Sequence, residues 1–118
     1  MVWQFDENFP IYRQVVMRLK GAILRGEFGP GEKLPTVRFL AAEAGINPNT
    51  AQRALSKLED MGLAICISTS GRRVTRDIKV IERQRKIAAE ELAEYTSKAA
   101  KEIGITPKEL ADMLYGKE

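Results

Sequence analysis

The apolar positions follow a helical rhythm over most of the chain. Tyr12, Val16, Leu19 and Ile23 are spaced by four, three and four residues, which is one helix face. Trp3, Phe5 and Phe9 form an aromatic lead-in to this first helix. Pro10 reads as its first residue, Asn8 as a nearby cap and Gly26 as its end. Gly29, Pro30 and Gly31 make a turn, and Lys33-Leu34 can form a very short strand before Pro35. Thr36 caps a second helix over 37–44, with Val37, Leu40, Ala41 and Ala44 on its apolar face and Gly45 as its stop. Asn47 caps a third helix with Pro48 at its first position. Ala51, Ala54, Leu55, Leu58 and Met61 give that helix a buried face, and Gly62 closes it.

The rhythm then changes twice. Residues 63–68 read as a strand, Ser70-Gly71 as a turn and residues 72–76 as the returning strand of a hairpin. After Asp77 a helical stripe resumes through Ile81, Arg85, Ala88, Leu92, Tyr95, Ala99 and Ile103. It predicts one helix of roughly 25 residues, about 37 Å long, broken at Gly104. Thr106-Pro107-Lys108-Glu109 is a capping box that opens a short last helix carrying Leu110, Met113 and Leu114. The fold class is therefore mostly α with a small β-hairpin. Residues 1–76 read as a winged helix-turn-helix domain, and residues 77–118 as a helical segment.

The informative unit is 37–62, two short helices separated by Gly45-Ile46-Asn47. A helix, a tight glycine turn and a second helix is the geometry that presents a helix N-terminus to the DNA major groove. Ala51, Ala54, Leu55 and Leu58 face the core, leaving Asn49, Thr50, Gln52, Arg53 and Ser56 for solvent or DNA. Asn and Gln can bond adenine edges and Arg can bond guanine. Gly71, Arg72 and Arg73 lie at or beside the hairpin tip, and Arg38 opens the first helix of the motif. These are candidate contacts to phosphate or the minor groove. Any one of them alone is usually plain surface; their joint occurrence in this order carries the reading.

Charge adds modest support. Net charge is +3 overall, but residues 1–76 hold 11 Lys and Arg against 7 Asp and Glu, whereas 77–118 hold 8 against 9. The basic half suits a polyanion. With no histidine and a single cysteine, Cys66, thiol–imidazole and serine–histidine catalysis and a His/Cys zinc site are excluded. Glu90 and Glu94 lie one helical turn apart, but neighbouring lysines mark a solvated face. No nucleotide loop is present, so neither catalytic residues nor a cofactor nor a metal site is expected. Cys66 sits in the apolar run 63–67 and reads as a small core residue; that run is far too short for a bilayer. Asp6 and Glu7 argue against a signal peptide. A cytoplasmic protein without membrane attachment is the expectation.

The stretches Pro10-Ile11-Tyr12-Arg13-Gln14-Val15, Ile23-Leu24-Arg25-Gly26-Glu27, Gly31-Glu32-Lys33-Leu34-Pro35-Thr36-Val37-Arg38 and the run 45–55 resemble the DNA-binding domain of GntR-type repressors. The resemblance covers about residues 8–76. It implies a backbone contact for Arg38, operator reading by Asn47, Asn49, Thr50 and Gln52, and approach of Gly71 to the minor groove. The wing departs from the family's usual Arg-Gly-x-Gly-Thr-Phe-Val, having neither a second glycine nor an aromatic.

Only 42 residues follow the wing, too few for a metabolite-binding domain with its own core. A long helix plus a short one is similar to the YtrA-type subfamily, where this element dimerises. An amphipathic helix outside a compact domain must also bury its stripe somewhere, and a two-fold partner offers an identical one. Ile81, Ala88, Leu92, Tyr95, Ala99, Ile103, Leu110 and Leu114 are the candidate dimerisation residues; folding back on the winged helix is the alternative. The function expected is a sequence-specific transcriptional regulator, a repressor by resemblance, bound to a palindromic operator as a homodimer. The rival is a winged-helix protein-interaction module, which would show apolar or acidic residues on the recognition face. A small-molecule effector is a further candidate partner. A cleft lined by Tyr12, Tyr95 and Met113 would be its place, although core packing is the favoured role of all three.

Overall fold

A computed structural model describes residues 1–69 and 71–116. The elements are α1 (Ile11–Arg25), α2 (Val37–Ala44), α3 (Pro48–Asp60), β1 (Ala64–Cys66), β2 (Arg72–Val74), α4 (Ile78–Glu102) and α5 (Pro107–Tyr115). The chain separates into two compact units, Met1–Gln84 and a second from Arg85 onward.

In the first unit α3 is the central element, packing against α1, α2 and β1. Its face of Ala51, Ala54, Leu55 and Leu58 is fully buried, as are Val15 and Leu19 of α1. Each Leu so buried contributes about 1.5–3 kcal/mol, and the alanines let the helices approach closely. Thr36 and Asn47 cap as their positions predict: Thr36 Oγ1 accepts from Phe39 N at 3.2 Å and Asn47 Oδ1 from Asn49 N at 2.7 Å. Gly45 ends α2 at φ +67°, a left-handed conformation that favours glycine.

The start of α1 differs from expectation. Pro10 is the N-cap, and no side chain caps the helix. Asn8 instead donates its backbone N–H to Asp6 Oδ1. The lead-in is fastened by Gln14, whose Oε1 accepts from Asp6 N at 2.9 Å and whose Nε2 donates to Asp6 O at 2.7 Å and Phe9 O at 3.1 Å. Trp3 and Phe5 stack on each other and lie against the core, with Arg18 over the indole.

β1 and β2 pair antiparallel, with Ala64 opposite Val74 and Cys66 opposite Arg72. The strands are shorter than expected, but ladder bonds extend from Thr75 N to Leu63 O at one end to Ile67 N to Gly71 O at the other. In place of the expected short strand at 33–34 there is an isolated antiparallel bridge between Lys33 and Arg73, and the sheet has two strands. Cys66 is not a core residue. It is exposed, donating Sγ–H to Ser68 O, because it occupies the outward end of the hairpin.

The first turns of α4 belong to the first unit, which moves its edge past the expected boundary at 76. Ile81 is 6% exposed and part of the core. Gln84 Nε2 donates to Met61 O at 3.1 Å. In the second unit α4 continues to Glu102, Gly104 reverses the chain at φ +76°, and Thr106 with Glu109 forms the predicted capping box. Leu92, Ala93, Leu110 and Leu114 line an apolar groove between the end of α4 and α5. Among the described residues no helix is long and apolar enough to cross a membrane.

Candidate nucleic-acid interface

The N-terminal turn of α3 is the exposed tip of the helix-turn-helix. Asn47, Asn49, Gln52 and Arg53 are exposed and Thr50 is half-buried, while the opposite face of the same helix is in the core. The separation follows from the 3.6-residue period: positions 51, 54, 55 and 58 point inward, so 49, 52, 53 and 56 are turned out. Asn47 spends its Oδ1 on the helix cap and its side chain is exposed. Arg38, one residue into α2, is exposed.

Arg53 is not extended into solvent. Its guanidinium lies 3.7 Å from the centroid of the Tyr12 ring on α1. Arg13 Nε donates to the Tyr12 hydroxyl at 3.4 Å. That hydrogen bond lowers the Tyr12 pKa below the usual phenol value; burial opposes the shift, and the charges of Arg53, Arg13 and Lys57 reinforce it. Tyr12, Arg13 and Lys57 therefore join the basic surface. Tyr12 is half-buried and packs against the core with one side, as its place on the apolar face of α1 predicts, while Arg13 and Lys57 carry no sequence expectation. Their signal was the alignment of Arg53 with Lys57 at i and i+4, together with an aromatic in the first turn of α1.

The wing is built differently from the sequence expectation. Arg72 is 5% exposed and its Nε donates to Glu59 at the end of α3, an ion pair that ties recognition helix to wing. Its Nη1 is buried without a hydrogen-bond partner. Arg72 is thus a structural cation, not a free one at the tip, because its place at the start of β2 turns it inward. Arg73 is half-buried and donates to Gly31 O at 3.1 Å. Gly71 is half-buried, and its N–H donates to Ser68 Oγ at 2.9 Å. A Cβ there would come within 2.9 Å of that oxygen, so a larger residue would have to turn the Ser68 hydroxyl away and give up this hydrogen bond. Ser70 lies outside the described residues.

Of the candidate dimerisation residues, Ile81 is corrected by the fold: its side chain is spent in the core of the first unit. In the second unit Leu92, Tyr95, Ile103 and Leu114 are 66%, 73%, 72% and 63% exposed. Ala99 is exposed, and Ala88 and Leu110 are half-buried. The residue buried near the end of α4 is Ala100, one position round the helix from the predicted stripe. Tyr95 and Met113 are exposed, so core packing is not their role within this chain. Glu94 pairs with Lys98 at 3.4 Å on an open face, as a solvated pair would. Among the described residues no three of His, Cys, Asp and Glu gather where they could hold a metal.

The family model described as bacterial regulatory proteins, gntR family, matches residues 11–74, more than half of the chain. The chain belongs to the GntR family. Its relatives include the uncharacterized HTH-type transcriptional regulator YhcF of Bacillus subtilis, 31% identical over 109 residues, covering 92% of this chain and 90% of that one. The HTH-type transcriptional repressor YtrA of the same organism is 37% identical over 70 residues, covering 59% of this chain and 54% of that protein. Among solved structures, a GntR family transcriptional regulator from Listeria monocytogenes superposes with a TM-score of 0.88 at 31% identity, covering 97% of this chain and 100% of that one. The winged helix-turn-helix architecture and the GntR membership thus agree. The matched span ends at the last residue of β2 and leaves the second unit outside it.

Proposed function

We propose that this GntR-family chain is an operator-binding transcriptional repressor of the YtrA type, working as a homodimer in the cytoplasm. The observation that carries the reading is the exposed polar tip of α3. Asn49 and Gln52 are exposed on a helix whose other face is fully buried, with the capping Asn47 and the half-buried Thr50 beside them. The tip also presents helix N–H groups and a positive dipole end to phosphate. It carries neither the apolar nor the acidic surface that a protein-interaction module would use. Gln52 and Asn49 read base edges, Arg38 fixes the register on the backbone, and Gly71 brings the wing to the minor groove. The name of YtrA as a repressor supports the sign of regulation.

The exposed row of Leu92, Tyr95 and Ile103, with Leu110 and Leu114 on α5, supports dimerisation through the second unit. Large apolar side chains exposed together are what an interface between copies would cover. A two-fold dimer sets two recognition helices roughly 34 Å apart and requires a palindromic operator. Genomic-fragment selection with the purified protein, followed by footprinting, tests this. The expected result is a short palindrome protected in two half-sites. Absence of enrichment over random fragments, at physiological and at low salt, would overturn the reading.

A further inference from the structure

The contact between α1 and α3 gives Arg53 a different task from that of its neighbours. Arg53 stands one position beyond Gln52, where an extended guanidinium could fork to a guanine edge. Its guanidinium carbon instead lies over the Tyr12 ring, 3.7 Å from the centroid. Tyr12 is held in turn by Arg13, which donates to its hydroxyl. Asn49, Arg53 and Lys57 share one face of α3 at successive i, i+4 positions, and Tyr12 lies in both depressions that this face forms with α1. One depression is lined by Asn49, Thr50 and Arg53, the other by Arg13, Met17 and Lys57. A base-reading arginine must extend from the helix into the groove. One that folds back toward a neighbouring helix offers its outer N–H edge to whatever lies alongside. Beside a helix docked by its N-terminus, that is the sugar–phosphate wall.

We propose that Tyr12 is a positioning residue for Arg53, and that the pair, flanked by Arg13 and Lys57, grips the DNA backbone instead of reading a base. This rests on the operator-binding reading and adds a division of labour within α3: Gln52 discriminates sequence, Arg53 supplies affinity common to all sequences. The aromatic face fixes the guanidinium before DNA arrives, so less side-chain freedom is lost on binding.

The test is a double-mutant cycle of Tyr12→Leu and Arg53→Ala, read by fluorescence anisotropy on the selected operator and on a random duplex over a range of salt. Arg53→Ala should weaken both duplexes by the same factor and reduce the salt slope by about one. Tyr12→Leu should weaken both about two- to fivefold, the size of an exposed cation–π contact, and should have no further effect once Arg53 is alanine. Tyr12→Phe should rescue, because it keeps the ring face. In the free protein, the Arg53 side-chain protons should be shifted upfield by the ring current and should return to ordinary positions in Tyr12→Leu. Unshifted protons in the wild type, or equal losses from Tyr12→Leu with and without Arg53, would overturn the positioning role. A loss confined to the operator with an unchanged salt slope would make Arg53 a base reader. Failure of the wild type to bind any duplex would instead overturn the operator-binding reading itself, and the backbone grip with it.

Discussion

The Arg72–Glu59 pair makes an asymmetric prediction. Glu59→Ala leaves a guanidinium that is 5% exposed, already carrying one unpartnered nitrogen, with no counter-charge. Removing one member of a fully buried pair costs about 3–5 kcal/mol, because the remaining charge has lost water and partner together. The Glu59 side chain keeps 32% of its exposure, so water can enter its place, and we expect about 2–3 kcal/mol. For a unit of this size each kcal/mol moves the melting midpoint by about 4–8 °C, so the fall should be roughly 10–20 °C. Arg72→Met removes the buried charge and keeps a side chain of similar length. Glu59 then rehydrates, and the cost should be about 1 kcal/mol or less. Both variants would be followed by thermal and urea unfolding at one protein concentration, so that the proposed dimerisation bears on both midpoints alike. An Arg72→Met variant as unstable as Glu59→Ala, or more so, would refute the reasoning. It would show that the stability lies in the guanidinium's own packing and not in the pairing of its charge.

Three further outcomes follow from the same structure. Gln52→Ala should lose about 1–3 kcal/mol on the operator and little on random duplex, whereas Arg38→Ala should weaken both equally and lower the salt slope by about one; anisotropy on the two duplexes separates them. Leu92→Asp with Tyr95→Asp should convert the proposed dimer to a monomer in sedimentation while circular dichroism retains the helical signal, since both side chains are exposed within the chain. Gly31→Ala should destabilise by about 1–2 kcal/mol from the left-handed backbone alone. At φ +78° a Cβ would also lie 2.7 Å from Arg76 Nε, which must move, and unfolding at equilibrium measures the sum.

Much of this protein is legible in its sequence because local rules decide it. Thr36, Asn47 and Thr106 each satisfy orphan N–H groups within three residues, so the helix starts could be placed from neighbours alone. The 3.6-residue period sorted α3 into a core face and an exposed face without knowledge of its partners. What local rules could not decide was the destination of long polar side chains and of apolar residues near a boundary. Arg72 reads as a surface cation until Glu59, thirteen residues earlier, comes to meet it across the end of α3. Arg53 reads as an outward fork until the Tyr12 face of α1 packs beside it. Ile81 belongs by rhythm to the later stripe but is claimed by the nearer core. Helix period and capping are short-range geometry and are written residue by residue. The partner of a flexible arginine is chosen by distance in space, and only the packed helices bring that partner within reach.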